Sequence, residues 1–231
     1  MSFHGTLHSL VHEALQPDGQ RLRILDIPHL SFAGGERVGI SGPSGSGKTS
    51  LLHCLAGLVI PDHGEIVWDQ IPITRLEASA CDAWRLRHVG LIFQDFQLIP
   101  ELSVIENILL TTCFSQWRVG QEARLQAHRQ AEALGLPDRD QPVSTLSRGE
   151  QQRVAVARAL RHNPPLILAD EPTASLDRAN ADKVMRALLA YADTQRATLV
   201  VASHDPAVLA LMDRVIPLAN GRVQAGAEEA S

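Results

Sequence analysis

The sequence predicts an α/β fold: a phosphate-loop nucleotide-binding core with a mostly parallel sheet, and a helical subdomain inserted into it. Three observations predict this. Residues 42–49, Gly-Pro-Ser-Gly-Ser-Gly-Lys-Thr, fit G-x-x-x-x-G-K-[ST] and stand between a strand-like and a helix-like run. Four short apolar runs end in polar residues, as buried strands of a parallel sheet do. Between two of those runs, residues 95–163 carry helical periodicity and helix-start signals.

Taken in chain order, Arg37-Val38-Gly39-Ile40-Ser41 reads as a buried strand leading into the loop. Gly42, Gly45 and Gly47 let the backbone approach phosphates without Cβ clashes. Pro43, Ser44, Ser46 and Ser50 complete the loop and its exit. Its N–H groups and the following helix N-terminus favour an anion. Lys48 is expected at the β/γ-phosphates and the Thr49 hydroxyl at Mg²⁺. From Ser50 to Ala56 apolar residues recur at helical spacing, and Gly57 and Pro61 stop the helix. Leu91-Ile92-Phe93 then ends at Gln94. Ser103-Val104-Ile105-Glu106 is a capping box that opens an amphipathic run through Leu110. Gln121 to Leu134 reads as a charged helix stopped by Gly135 and Pro137. Ser147-Arg148-Gly149-Glu150 is a second capping box, opening a helix to Arg161. Leu166–Ala169 ends at Asp170-Glu171, and Thr198–Ala202 ends at Ser203-His204. Asn220-Gly221 predicts a hairpin turn; Pro217 either argues against that hairpin or places it at an edge. Residues 1–94 and 164–231 are read as the nucleotide core, within one domain spanning 1–231.

With 231 residues, the chain is long enough for one large domain or a domain with a subdomain. Its 21 Lys and Arg against 26 Asp and Glu give a net charge of −5. With no long basic run, this disfavours nucleic acid as a partner. No apolar run approaches the ~18 residues that span a bilayer. Met-Ser-Phe-His-Gly at the start lacks the features of a secretory signal. Cys54, Cys81 and Cys113 lack metal-ligand spacing and fit a reducing cytoplasm. His4, His8 and His12 would align on a helix and invite a metal, but they precede a Pro-Asp-Gly turn and the segment is not clearly helical. Ala225–Ser231 is expected to be a frayed tail.

An acid at the end of a buried strand holds Mg²⁺ in phosphate-loop enzymes, and a neighbouring carboxylate can take a proton from water. Asp170 and Glu171 fit these two roles. With them in view, Leu146-Ser147-Arg148-Gly149-Glu150-Gln151-Gln152-Arg153 resembles the signature motif of ATP-binding cassette (ABC) ATPases, members of the P-loop NTPases. The resemblance runs in order through Gln94 (the Q-loop), Asp170 and Glu171, Ser175-Leu176-Asp177 (the D-loop) and His204 (the switch). It implies ATP and Mg²⁺ as ligands and ATP hydrolysis as the activity. It further implies a head-to-tail homodimer in which each ATP lies between one subunit's phosphate loop and the other's signature. On this resemblance Glu171, His204 and Gln94 are the catalytic set. Thr49, Gln94 and Asp170 serve the metal, and Ser147, Gly149 and Glu150 face nucleotide across the dimer. A Ser147 hydroxyl engaged in its own cap would be less free for phosphate. Two positions depart from the family. Arg148 replaces a usual glycine and adds positive charge near phosphate. Leu15 stands where many members stack an aromatic residue on adenine; it either packs on the base or belongs to the core.

Phe93–Pro100 with Ser103–Leu110 and the signature is similar to the lipoprotein-releasing and macrolide-export branch (LolD- and MacB-like), with the cell-division (FtsE-like) ATPase a close neighbour. The resemblance implies an energy-supplying subunit on the cytoplasmic face of the inner membrane, bound peripherally to an integral-membrane permease. Gln94–Leu110 is the expected docking segment, because Phe96, Leu98, Ile99, Val104 and Ile108 are not expected all to face one core. Two other classes are weighed. A soluble cassette ATPase of DNA repair or translation usually has two cassettes or a long coiled-coil insert. A non-hydrolysing regulatory module would not need Glu171 and His204.

Overall fold

The computed structural model describes residues 3–17, 19–113, 119–137 and 140–224, without the side chain of Cys113. The expected tail at Ala225–Ser231 lies outside them. The core is a six-stranded sheet built from β3 (Arg37–Ser41), β6 (Val89–Ile92), β7 (Leu166–Asp170), β8 (Thr198–Ala202), β9 (Arg214–Ala219) and β10 (Arg222–Val223). Its order is β10-β9-β3-β8-β7-β6, parallel throughout except for the β9/β10 hairpin. The α/β class with a mostly parallel core is therefore borne out.

Alternation explains why these strands read as unbroken apolar runs. In β7, Leu166 and Leu168 enter one core, and Ile167 and Ala169 enter another. The first core holds α1 (Lys48–Leu55) and a second sheet. The other holds α5 (Arg148–Ala159) and α6 (Arg178–Gln195). A strand covered on both faces has no place for polar residues except at its ends. Those ends carry the chemistry.

The second sheet is antiparallel and was not expected. It orders β1 (Gly5–Leu15), β2 (Arg21–Phe32), β4 (His63–Trp68) and β5 (Ile71–Pro72) as β2-β1-β4-β5. His4, His8 and His12 therefore do not share a helix face. His8 pairs with His29 across β1/β2, and His12 lies 3.4 Å from Asp62. No group of three or more ligating side chains stands together among the described residues.

The inserted stretch contains α3 (Val104–Cys113), α4 (Gln121–Ala133) and α5, which share their own apolar cluster. Both capping boxes form. Ser103 N–H donates to Glu106 at 2.9 Å, and Ser147 N–H donates to Glu150 at 2.8 Å. The helix begun at Ser147 ends at Ala159 rather than Arg161, with Leu160 as its C-cap. Asn163, at φ 50°, turns the chain towards β7. Between β5 and β6, α2 (Ala78–His88) crosses to the sheet. Pro217 is not at an edge: β9 lies between β3 and β10. Its carbonyl accepts from Gln224 N–H at 2.9 Å on the β10 side, so its missing N–H costs no bond to β3.

Candidate functional site

The phosphate loop is held from two sides. A Cβ at Gly42 would stand 2.2 Å from Leu218 O, and one at Gly47 would stand 2.9 Å from Leu25 Cδ2. Gly42, Gly45 and Gly47 all have positive φ, so glycine suits the conformation at all three, and at Gly42 and Gly47 the space as well. The Asn220-Gly221 turn is a support that sequence reasoning did not find. Gly221 N–H donates to Ser46 O at 3.0 Å, and Gly221 O accepts from Asp26 N–H at 2.8 Å. The dipeptide signalled a hairpin, yet only the fold brings that hairpin under the loop. Ser46 Oγ is buried without a hydrogen-bond partner. Lys48 is 8% exposed and donates to Gly42 O at 2.8 Å and Pro43 O at 3.1 Å. A buried ammonium and an orphaned hydroxyl at a helix N-terminus form a cradle suited to phosphate.

Beside the cradle, β7 delivers two carboxylates. Thr49 Oγ1 donates to Asp170 Oδ2 at 2.7 Å. Burial pushes the Asp170 carboxyl above its ordinary 3.8, helped by the charge of Glu171 and opposed by the Thr49 hydrogen bond. Asp170 Oδ1 is buried with no partner. An orphaned carboxylate oxygen beside a threonine hydroxyl fits a hard cation such as Mg²⁺, which takes oxygen ligands. Glu171 stands in the left-handed region at φ 45°, with its N–H bonded to Ala202 O at 2.9 Å. Its Oε1 lies 2.8 Å from His204 Nδ1 and 3.9 Å from Lys48 Nζ, and Ser203 Oγ donates to Oε2 at 3.5 Å. A carboxylate only accepts, so His204 carries its hydrogen on Nδ1 here. Lys48, Thr49, Asp170, Glu171 and His204 thus form one connected group. Gln94 follows β6 at the same sheet edge, one strand from Asp170, with its side chain exposed.

The remaining expected residues lie elsewhere. Ser147 and Glu150 bond to each other: Ser147 Oγ donates to Glu150 Oε2 at 2.6 Å. That bond holds the Glu150 carboxyl below its ordinary 4.5. Among the described residues, no hydrogen bond joins Ser147–Glu150 to the phosphate loop. Gly149 has a reason within the chain: a Cβ there would stand 2.7 Å from the Asn180 side chain. Arg148 lies over the Phe96 ring, 5.1 Å from its centroid. Leu15 is not core; it is 75% exposed at the end of β1. Val104 and Ile108 are buried in the helical cluster with Leu98 packed against it, Phe96 is buried outside that cluster, and Ile99 is 38% exposed, so the five do not all face one core. A mostly apolar crevice lined by Cys54, Leu58, Ile60, Ile73 and Cys81 lies at the far end of α1 from the loop.

Comparison with known proteins follows the same lines. The ABC transporter family pattern matches residues 25–174, more than half of the chain. The lipoprotein-releasing system ATP-binding protein LolD of Syntrophotalea carbinolica is 38% identical over 205 residues, covering 88% of this chain and 90% of that protein. An uncharacterised ABC transporter ATP-binding protein of Mycobacterium tuberculosis is 42% identical over 87% of this chain, which spans 60% of that relative's length. The ATP-binding cassette MJ0796, solved as a dimer in a post-hydrolysis state bound to ADP and Pi, superposes with a TM-score of 0.89. It is 34% identical, covering 95% of this chain and 96% of that one. CbiO1 of Clostridium perfringens, part of the ABC transporter complex cbiONQ, superposes at 0.81 with 26% identity, covering 97% and 88%. No helix among the described residues is long and apolar enough to cross a membrane. A phosphate loop, strand-end carboxylates and a matching pattern over most of its length establish that this chain belongs to the ABC transporter family, as one of its ATP-hydrolysing ATP-binding cassettes.

Proposed function

We propose that the chain hydrolyses ATP as one half of a head-to-tail homodimer and powers an integral-membrane permease acting on an envelope substrate, in the manner of the lipoprotein-releasing branch. The observation that carries the chemistry is the Lys48–Glu171–His204 group beside the Thr49–Asp170 pair. Lys48 and the loop amides hold the β- and γ-phosphates. Glu171 takes a proton from the attacking water as the water oxygen bonds to the γ-phosphorus and the bond to the ADP oxygen breaks. His204 orients Glu171 through Nδ1. Thr49 and Asp170, with Gln94 at the same edge, would hold Mg²⁺, which would neutralise charge developing on the phosphates.

The dimer is supported by the placement of Ser147–Glu150. Their bonds close among themselves, and the phosphate loop closes with Asp170, Glu171 and the Gly221 turn. A second copy would bring the signature's helix N-terminus to the γ-phosphate. The dimeric form of MJ0796 favours the same arrangement. The identity to LolD favours the branch. Leu15 is free to meet the adenine of bound ATP. For permease docking, the exposed part of the segment after Gln94 offers Ile99, Pro100 and Glu101. Purification from membranes with identification of the bound partner tests the reading. Ile99→Asp is expected to reduce that co-purification and spare basal ATPase activity. Recovery of the chain with no membrane protein, or unaffected partner binding by Ile99→Asp, would count against it.

A further inference from the structure

The turn that follows Gln94 is held by the signature helix from both of its ends. Phe96 and Gln97 both stand in the left-handed region, at φ 55° and 51°. Two consecutive residues with side chains in that region need outside restraint. The turn's own contribution is small: Gln97 N–H bonds to Asp95 O, and Phe96 N–H to Phe93 O at 3.2 Å. The rest comes from α5. Arg158 donates through Nη2 to Phe96 O at 2.6 Å and through Nη1 to Gln97 O. Arg158 is 8% exposed and, among the described residues, pairs with no carboxylate. Burial pushes its guanidinium below the usual range, so its charge rests on those two carbonyls. At the other end of the helix, exposed Arg148 covers the buried Phe96 ring from 5.1 Å.

We propose that Arg148 is a positioning residue: its stacking on Phe96 latches the Gln94–Leu98 turn to the first turn of α5, so that the setting of Gln94 at the sheet edge depends on Arg148. Arg158 grips the backbone of the turn from within. Arg148 closes the outer face and sits one residue from Ser147. Gln94 and the signature then move as one body. The proposal rests on the reading of Gln94 as a residue that faces Mg²⁺.

The test uses the full-length chain as wild type, Arg148→Gly, Arg148→Lys, Phe96→Leu, the Arg148→Gly/Phe96→Leu double variant and Gln94→Ala. Amide hydrogen exchange over residues 94–98 is measured with the Mg²⁺ concentration giving half-maximal ATPase at fixed ATP. Half-saturation is insensitive to the fraction of folded enzyme, so generalised damage does not move it. A cation–π contact of this kind predicts exchange about 2- to 5-fold faster at 95–98 in Arg148→Gly. Half-saturation should shift to higher Mg²⁺ by a similar factor. Phe96→Leu, which leaves the signature untouched, should reproduce both effects. The double variant should be no worse than either single one, and Arg148→Lys should retain part of the latch. Exchange in α4 should not change. Unchanged exchange in Arg148→Gly, or independent multiplicative effects in the double variant, would overturn the latch. Faster exchange without a Mg²⁺ shift, while Gln94→Ala does shift it, would overturn the positioning role. A silent Gln94→Ala would instead overturn the reading of Gln94.

Discussion

Glu171 and His204 meet at 2.8 Å, and the contact is set by two adjacent strand ends rather than by a loop. Asp170 pairs with Ala202 in the β7/β8 register, so the next residues of both strands emerge side by side. Glu171 is also fixed by its N–H bond to Ala202 O, which holds it in a left-handed conformation. The carboxylate proposed as the base is therefore positioned by the sheet itself.

Glu171→Gln should lower turnover about 10²- to 10⁴-fold, because the amide cannot take the proton from water. Lys48, Thr49 and Asp170 remain, so ATP should still bind and the dimer should persist. Light scattering with ATP and Mg²⁺ should then give a mass near twice the 25.1 kDa chain. Hydrolysis at the wild-type rate would remove Glu171 from the role of base.

Lys48→Ala should abolish hydrolysis, by at least about 100-fold, and weaken ATP binding. The ammonium is buried among loop carbonyls, and among the described residues it is the one lysine or arginine group within 4 Å of the Glu171 carboxylate. Turnover close to wild type would contradict the assignment.

Asp170→Asn should separate stability from function. The carboxyl's folded value is raised by burial. Its contribution to stability is thus fully present below the unfolded value of about 3.8 and is lost as pH rises through the folded one. At pH 7 without Mg²⁺ the wild type carries a buried carboxylate with an unpartnered Oδ1. The amide removes that charge, and each ~1 kcal/mol gained should raise Tm by about 2–4 °C. ATPase activity should be lost. A lower Tm in chelator would show that the charged form is not penalised.

Ser147→Ala should lower Tm by about 2–4 °C, the effect of losing a helix cap worth ~1 kcal/mol. The wild-type cap has a pH signature. Glu150 is held below its ordinary 4.5, so its contribution is present above that value and fades as pH falls through the lower folded one. Thermal scans from pH 7 to pH 3 should show the gap between the two proteins narrowing on the acid side.

The parallel core was legible because strands buried on both faces write themselves as apolar runs, and their polar ends mark the site. Asp170, Glu171 and His204 stand at such ends, Lys48 and Thr49 were read from the phosphate-loop pattern, the role proposed for His204 came from the family resemblance, and both capping boxes showed in their spacing. The β1/β2/β4/β5 sheet was not found. Its strands are half exposed, β1 shifts register between His12 and Glu13, and Ser9 turns left-handed at φ 50°. An irregular, half-polar strand carries no clean two-residue period.

What the sequence determined by itself is therefore local pattern: which residues form the phosphate loop, which end a strand, which cap a helix. The tertiary structure decided which of them meet. It placed the Asn220-Gly221 turn beneath Ser46 and set Gly149 against Asn180. It laid Arg148 on Phe96, and of the apolar residues after Gln94 it buried Val104 and Ile108 and left Ile99 exposed. Such contacts join residues far apart in the chain, and packing fixes them; neither periodicity nor spacing along the chain encodes which side chain lies opposite.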